Sequence, residues 1–290
     1  MRRPSFLFLF CVSLLSVPLK ASAQGSPPVL VGAGDIATCT NIGGAQATAA
    51  LLDSIPGTVF TLGDDAYPDG TDWNFAHCYD ITWGRHRYRT LPSIGNHEYN
   101  GPDGMDYYNY YGSSAGTPMR AWYSYNLGTW HIIVLDSNCN QIDCTSGSPE
   151  YMWLQNDLAA NTQACTLAMW HHPLFTSTAS AIKTWTQPWW QLLYNAKVDL
   201  NLVGHNHIYE RFGAQNPSGQ ADPNGIVEIV VGTGGESNGG FDTILANSVV
   251  RNDQTYGVLK LTLQTNSYTF QFVPIAGSSF TDSGSATCHK

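Results

Sequence analysis

Five apolar runs in this 290-residue chain each stop at side chains that can bind a metal ion. Residues 28–35 end on Asp35, 58–64 on Asp64, 91–97 on Asn96 and His97, 166–172 on His171 and His172, and 198–207 on His205 and His207. Tyr67 lies shortly after Asp64. Imidazole and carboxylate suit Zn, Fe and Mn, and the lack of any C-x-x-C pair disfavours structural zinc. The donors exceed what one ion needs. Two ions sharing a carboxylate would use them all, and a two-metal centre roughly 3.5–4 Å across is a general apparatus for phosphoester hydrolysis.

Short apolar runs bounded by glycine read as buried strands. Helical patterns at 44–54, 150–160 and 187–196 lie between them. This alternation predicts an α/β core, in which ligands gather beyond the carboxyl ends of the strands. The tail differs. Residues 256–263 and 268–274 alternate around Thr265-Asn266-Ser267 and predict a hairpin. Residues 226–231 predict one more strand, and the Gly-rich loop 232–240 after it lacks the G-x-x-x-x-G-K of a phosphate-binding loop. Asp136 also ends a strand-like run, but reads as a loop cap. Tyr107, Tyr108, Tyr110 and Tyr111 read as a packing patch, and Trp189-Trp190 as core. No linker divides the chain, which predicts one domain over residues 24–290.

Residues 1–23 read as a secretory signal: Arg2 and Arg3, an apolar run, then Ala21-Ser22-Ala23. Cleavage there removes Arg2, Arg3 and Lys20 and no acid, so 13 basic against 22 acidic residues becomes 10 against 22, and a formal charge of −9 becomes −12. Such a surface argues against nucleic acid as a partner. No second apolar stretch is long enough to span a membrane, so the product is expected to be secreted or periplasmic. Cys11 leaves with the signal, and the six remaining cysteines predict disulfides in an oxidising compartment. The sequence does not choose their connectivity. Cys139 and Cys144 are near enough for a local clip, and Cys39 with Cys78 and Cys165 with Cys288 complete one possible set.

Gly34-Asp35, Gly63-Asp64, Gly95-Asn96-His97-Glu98, His171 and Gly204-His205-Asn206-His207 together resemble the motifs of the calcineurin-like metallophosphoesterase superfamily, in its order. That superfamily usually has D-x-H in its first motif, whereas here Ile36 and Ala37 follow Asp35. Losing that histidine and having Tyr67 after Asp64 resembles the purple acid phosphatases, as does the run Gly204-His205-Asn206-His207-Ile208-Tyr209-Glu210-Arg211. The resemblance implies a four-layer α/β/β/α sandwich of two mixed β-sheets flanked by helices, in the small single-domain form. It also implies Fe(III) on Asp35, Tyr67 and His207, a divalent ion (Fe, Zn or Mn) on Asn96, His171 and His205, and Asp64 bridging both. His97 becomes a phosphate contact and candidate acid, Glu98 a supporting residue. His172 stands as a second candidate, because the further histidines of the plant relatives are missing here.

The expectation is therefore an exported phosphatase that hydrolyses small-molecule phosphate monoesters with a metal-activated hydroxide. The alternatives are a Zn or Mn phosphodiesterase of the same superfamily, and a catalytically silent secreted binding protein.

Overall fold

The computed structural model describes Met1 and residues 25–290. The expected export signal, residues 1–23, lies outside the described residues, Met1 apart. Two large sheets dominate. The first runs in the order Ser283–Thr287, Ser267–Pro274, Gly257–Leu263, Val29–Ala33, Thr58–Leu62, Thr90–Ser93. Its last three strands are parallel, and the C-terminal hairpin joins antiparallel beside Val29–Ala33. The second runs Ser248–Asn252, Tyr209–Phe212, Val227–Val231, Leu200–Val203, Cys165–Met169, Trp130–Val134, Tyr123–Leu127. Its central strands are parallel and its outer ones antiparallel. Both sheets are mixed, as expected.

Side chains alternate between the two faces of a strand, and here each face meets a different core. In the second sheet Ile132, Val134, Leu167, Met169, Leu202 and Val231 point to the first sheet and pack with Leu30, Phe60 and Leu261. Their neighbours Ile133, Leu135, Ala168, Trp170, Val203 and Val230 point the other way, onto Leu154, Trp189, Trp190 and Leu193. Those four come from helices Pro149–Ala160 and Gln187–Asn195. Trp189 and Trp190 are fully buried, and cutting such a ring back to Ala costs about 3–5 kcal/mol. Helix Gly43–Ser54 packs Ala45, Ala49 and Leu52 into the first core. It stops before Pro56, which cannot continue a helix. Helix Pro149–Ala160 starts at Ser148, whose hydroxyl accepts the Tyr151 N–H at 3.2 Å.

The six described cysteines pair as Cys39–Cys78, Cys139–Cys144 and Cys165–Cys288, with Cα separations of 5.1, 5.3 and 5.4 Å. Cys165 opens its strand, and the His289 N–H donates to Asp199 at 2.7 Å, one residue before strand Leu200–Val203. The end of the chain, arriving from the first sheet, is thus fastened to the second, at the strand ends opposite the candidate ligands. Among the described residues, no helix is long and apolar enough to cross a membrane.

Candidate metal centre

The two sheets meet at their carboxyl ends. The Gly34 N–H donates to the Val231 carbonyl at 2.9 Å, the His205 N–H to Asp35 Oδ2 at 2.9 Å, and His171 Nδ1–H to the Leu62 carbonyl at 2.6 Å. The chain must turn sharply there to expose side chains. Asp35, Asp64 and His205 do so with φ of 60°, 53° and 66°, left-handed values that Asp and His tolerate better than most residues. The glycine before a ligand is needed for closeness. A Cβ on Gly95 would lie 2.2 Å from both the Asp64 nitrogen and its Oδ1.

The donors converge on two points. At one, the Tyr67 hydroxyl lies 2.9 Å from Asp35 Oδ1, 3.1 Å from Asp64 Oδ2 and 3.1 Å from His207 Nε2. At the other, His171 Nε2 lies 3.0 Å from Asp64 Oδ2, 3.1 Å from Asn96 Oδ1 and 3.2 Å from His205 Nδ1. Asp64 belongs to both. One phenolic proton cannot serve two carboxylates, whereas a cation at that point would satisfy every donor atom. Burial, then the charges of Asp35 and Asp64, push the Tyr67 phenol well above its usual range, so a phenolate there needs a cation beside it. Burial opposes the charge on Asp64 too, yet His171 and His97 hold its carboxyl below the ordinary range. Burial would lower His171, but Asp64 and Asp35 raise it to about 9. At His205 the same two carboxylates are outweighed, and burial and His171 lower it to about 4. The residues present fit a dinuclear centre in number, chemistry and arrangement.

Other residues hold this arrangement. The His97 N–H donates to Asp64 Oδ1 at 2.8 Å, its Nδ1 contacts the Pro68 carbonyl, and its ring lies 4.3 Å from that of Tyr67. Glu98 is buried and accepts the N–H groups of Asp64, Asp65 and Gly95 at 2.8–2.9 Å, bracing two ligand loops. Asp65 takes the hydroxyls of Thr61 and Tyr111 at 3.1 and 2.7 Å, so the tyrosine patch packs and also anchors this loop. Asp136 caps its turn, accepting the Asn138 N–H at 3.1 Å. His172 is buried behind His205, ring centroids 4.4 Å apart, with Nδ1 2.9 Å from the Ser137 hydroxyl.

Sequence reasoning missed three partners. Glu236 and Ser237, in the glycine-rich loop, reach His207 Nδ1 at 3.0 and 2.7 Å, and the Ser237 hydroxyl donates to Glu236. Trp185 meets the His172 ring at 5.7 Å. A histidine ligand with an unassigned second nitrogen was the signal for Glu236, since such ligands ordinarily donate there to a carboxylate or carbonyl. Trp185 left no comparable sign.

Residues 29–209 match the family model of the calcineurin-like phosphoesterases. The chain belongs to that family. This calcineurin-like phosphoesterase is 30% identical over 170 residues to a probable purple acid phosphatase of Arabidopsis thaliana, covering 55% of this chain and 38% of that protein. It is 28% identical over 219 residues to a phosphoenolpyruvate phosphatase of Allium cepa, covering 63% and 44%. The chain thus spans less than half the length of these relatives. A solved purple acid phosphatase from yellow lupin (Lupinus luteus) seeds superposes with a TM-score of 0.71 at 18% identity, over 91% of this chain and 54% of that one, and shares the fold.

Proposed function

We propose that this calcineurin-like phosphoesterase is an exported purple acid phosphatase-like enzyme that hydrolyses small-molecule phosphate monoesters, with its export signal in residues 1–23 and a single catalytic domain in residues 24–290. Asp64 carries the reading, because its carboxylate is common to two separate clusters of donors. In this reading Asp35, Tyr67 and His207 hold Fe(III), Asn96, His171 and His205 hold a divalent ion (Fe, Zn or Mn), and Asp64 bridges them. Phenolate and carboxylate suit the harder ferric ion, imidazoles the softer divalent one. When bound, such a pair supplies Lewis acidity to the phosphoryl group and to the attacking water. Three disulfides support a secreted or periplasmic destination.

The protein's own groups manage the protons. His97 donates Nδ1–H to the Pro68 carbonyl, so its Nε2, on the side of Asp64 and 3.9 Å from Oδ2, has a proton to hand to the leaving oxygen when the ring is the imidazolium, and the neutral ring remains afterwards. His172 is kept neutral by burial and by His171 and His205. The Ser137 hydroxyl accepts the His172 backbone N–H and has its own proton to give to Nδ1. That places the His172 proton on Nε2, as a neutral hydrogen-bond donor toward the departing group.

Turnover of a phosphomonoester beside a phosphodiester by the purified holoprotein tests the reading. Preference for the diester would favour a Zn or Mn phosphodiesterase, and no turnover of either with metal bound would make the protein a binding protein. Tyr67→Phe is expected to remove the tyrosinate-to-iron colour, read by visible absorption. An iron-free, colourless but active enzyme would reject the ferric assignment.

Glu236 supports the same half of the site. The His207 hydrogen bond, then Ser237, hold its carboxyl below the usual range against burial, so it stays anionic. Glu236→Gln keeps an acceptor and loses the charge. Metal affinity is expected to fall roughly 10–100-fold at the Tyr67 side, as removal of such outer partners generally causes. Metal analysis after dialysis against graded chelator measures it, and unchanged retention would assign Glu236 no part in holding the ion.

A further inference from the structure

Trp185 lies on the His172 side of the centre, on the loop before helix Gln187–Asn195, and is 36% exposed, although large aromatic rings are usually covered. It is also fixed. Its indole N–H donates to the Ser137 carbonyl at 3.1 Å, and the hydroxyl of that same Ser137 bonds His172. The Lys183 ammonium sits 5.7 Å from its ring. The rings of His205, His172 and Trp185 therefore form a continuous series, with centroid spacings of 4.4 and 5.7 Å. Beside Trp185 opens a cavity of about 360 Å³, walled by Pro188, Thr184 and the Cys139–Cys144 loop with Asp143, Thr145 and Ser146.

The lining has one chemical bias. Among the lining residues the single formal charge is the exposed carboxylate of Asp143, and the Lys183 ammonium over the Trp185 ring offsets it, so the surroundings favour neither an anionic nor a cationic group. The remaining walls are an indole, a proline, a disulfide and short hydroxyl side chains. A flat uncharged ring would stack on the indole and bury apolar area. His205 borders the centre and His172 lies behind it, so a group carried outward from a phosphoryl oxygen held beside His205 would run along this ring series toward Trp185.

We propose that this cavity is the leaving-group subsite, and that it selects phosphate monoesters of aromatic alcohols, with Trp185 as the platform. The inference rests on the phosphomonoesterase reading above and adds a substrate class to it. Specificity then comes from ring contact and not from the acidity of the departing alcohol.

Benzyl phosphate and ethyl phosphate separate the two, since both release an aliphatic alcohol and differ in the ring. The holoenzyme is expected to favour benzyl phosphate in kcat/KM by about tenfold or more, chiefly through KM, a size typical of apolar pocket contacts. Trp185→Ala should bring the ratio of the two kcat/KM values near unity, and Trp185→Phe should keep most of it. Ser146→Trp, an exposed position on the facing wall, should also collapse the ratio by filling the cavity. Equal kcat/KM for both substrates in the unmodified enzyme, or a ratio untouched by both Trp185→Ala and Ser146→Trp, overturns the proposal. If neither ester is hydrolysed, the phosphomonoesterase reading fails, and calorimetry with benzylphosphonate decides the subsite separately. Binding weakened about tenfold by Trp185→Ala sustains it, and binding unaffected by that change rejects it.

Discussion

Asp64→Asn is expected to empty both halves of the metal centre at once. The carboxylate lies 3.1 Å from the Tyr67 hydroxyl and 3.0 Å from His171 Nε2, so its loss removes a donor from each cluster. Asparagine fills the same volume and accepts the left-handed backbone at φ 53°, which keeps the fold out of the comparison. Changing a residue that only supports a ligand typically costs 10–100-fold, so loss of a shared ligand should reduce phosphomonoester turnover by more than ~100-fold. Metal content per chain, circular dichroism and turnover measured on one preparation test this. Asp35→Asn serves as the control and should release one ion in preference to the other. Retention of both ions and of the rate by Asp64→Asn would show that Asp64 does not bridge them.

Removing the Cys165–Cys288 disulfide should have the largest effect on stability. The bond spans 123 residues. Closing a loop of about that length restricts the unfolded chain by roughly 4–5 kcal/mol on the chain-entropy account. The paired replacement Cys165→Ala with Cys288→Ala should therefore lower Tm by on the order of 10 °C, given roughly 2–4 °C per kcal/mol for domains of this size. The Cys139–Cys144 bond closes a separation of only 5, and its removal should cost less than half as much. Calorimetry of the two paired variants under identical metal loading separates them. Equal losses would mean that native packing around the bonds, and not loop closure, sets their worth.

The legible parts of the sequence were those where one physical requirement repeats. Each of these strands is an apolar run with a polar residue at its end, and in all but the one ending at His171 a glycine allows close approach just before that residue, which placed Asp35, Asp64, Asn96, His171 and His205 together. Helices Gly43–Ser54, Pro149–Ala160 and Gln187–Asn195 fell within a residue or so of the expected ranges, because Pro56, Ser148 and Pro188 punctuate them. The edge strands Ser248–Asn252 and Ser283–Thr287 were not legible. Their mixed residues, half-buried in the first strand and mostly exposed in the second, acquire strand geometry only by pairing with Tyr209–Phe212 and Ser267–Pro274. The helical turns over residues 72–89 follow from no clean period either, since they pass through π and 3-10 geometry. Glu236 escaped for a related reason. Its loop is placed by backbone bonds to other segments, such as the Glu236 N–H to the Asp35 carbonyl at 3.1 Å, and composition records none of them.

The left-handed backbone at Asp35, Asp64 and His205 has a bearing on how this site would respond to saturation mutagenesis. At most positions a library sorts by size and polarity. At these three, conformational tolerance imposes a second sieve, admitting Gly, Asn and Asp while excluding β-branched residues whatever their donor atoms. Scored for soluble expression, the library should recover Gly and Asn readily. Scored for activity, the same clones should be dark. The overlap between the two lists would locate the metal-bearing turns in a library without any measurement of metal.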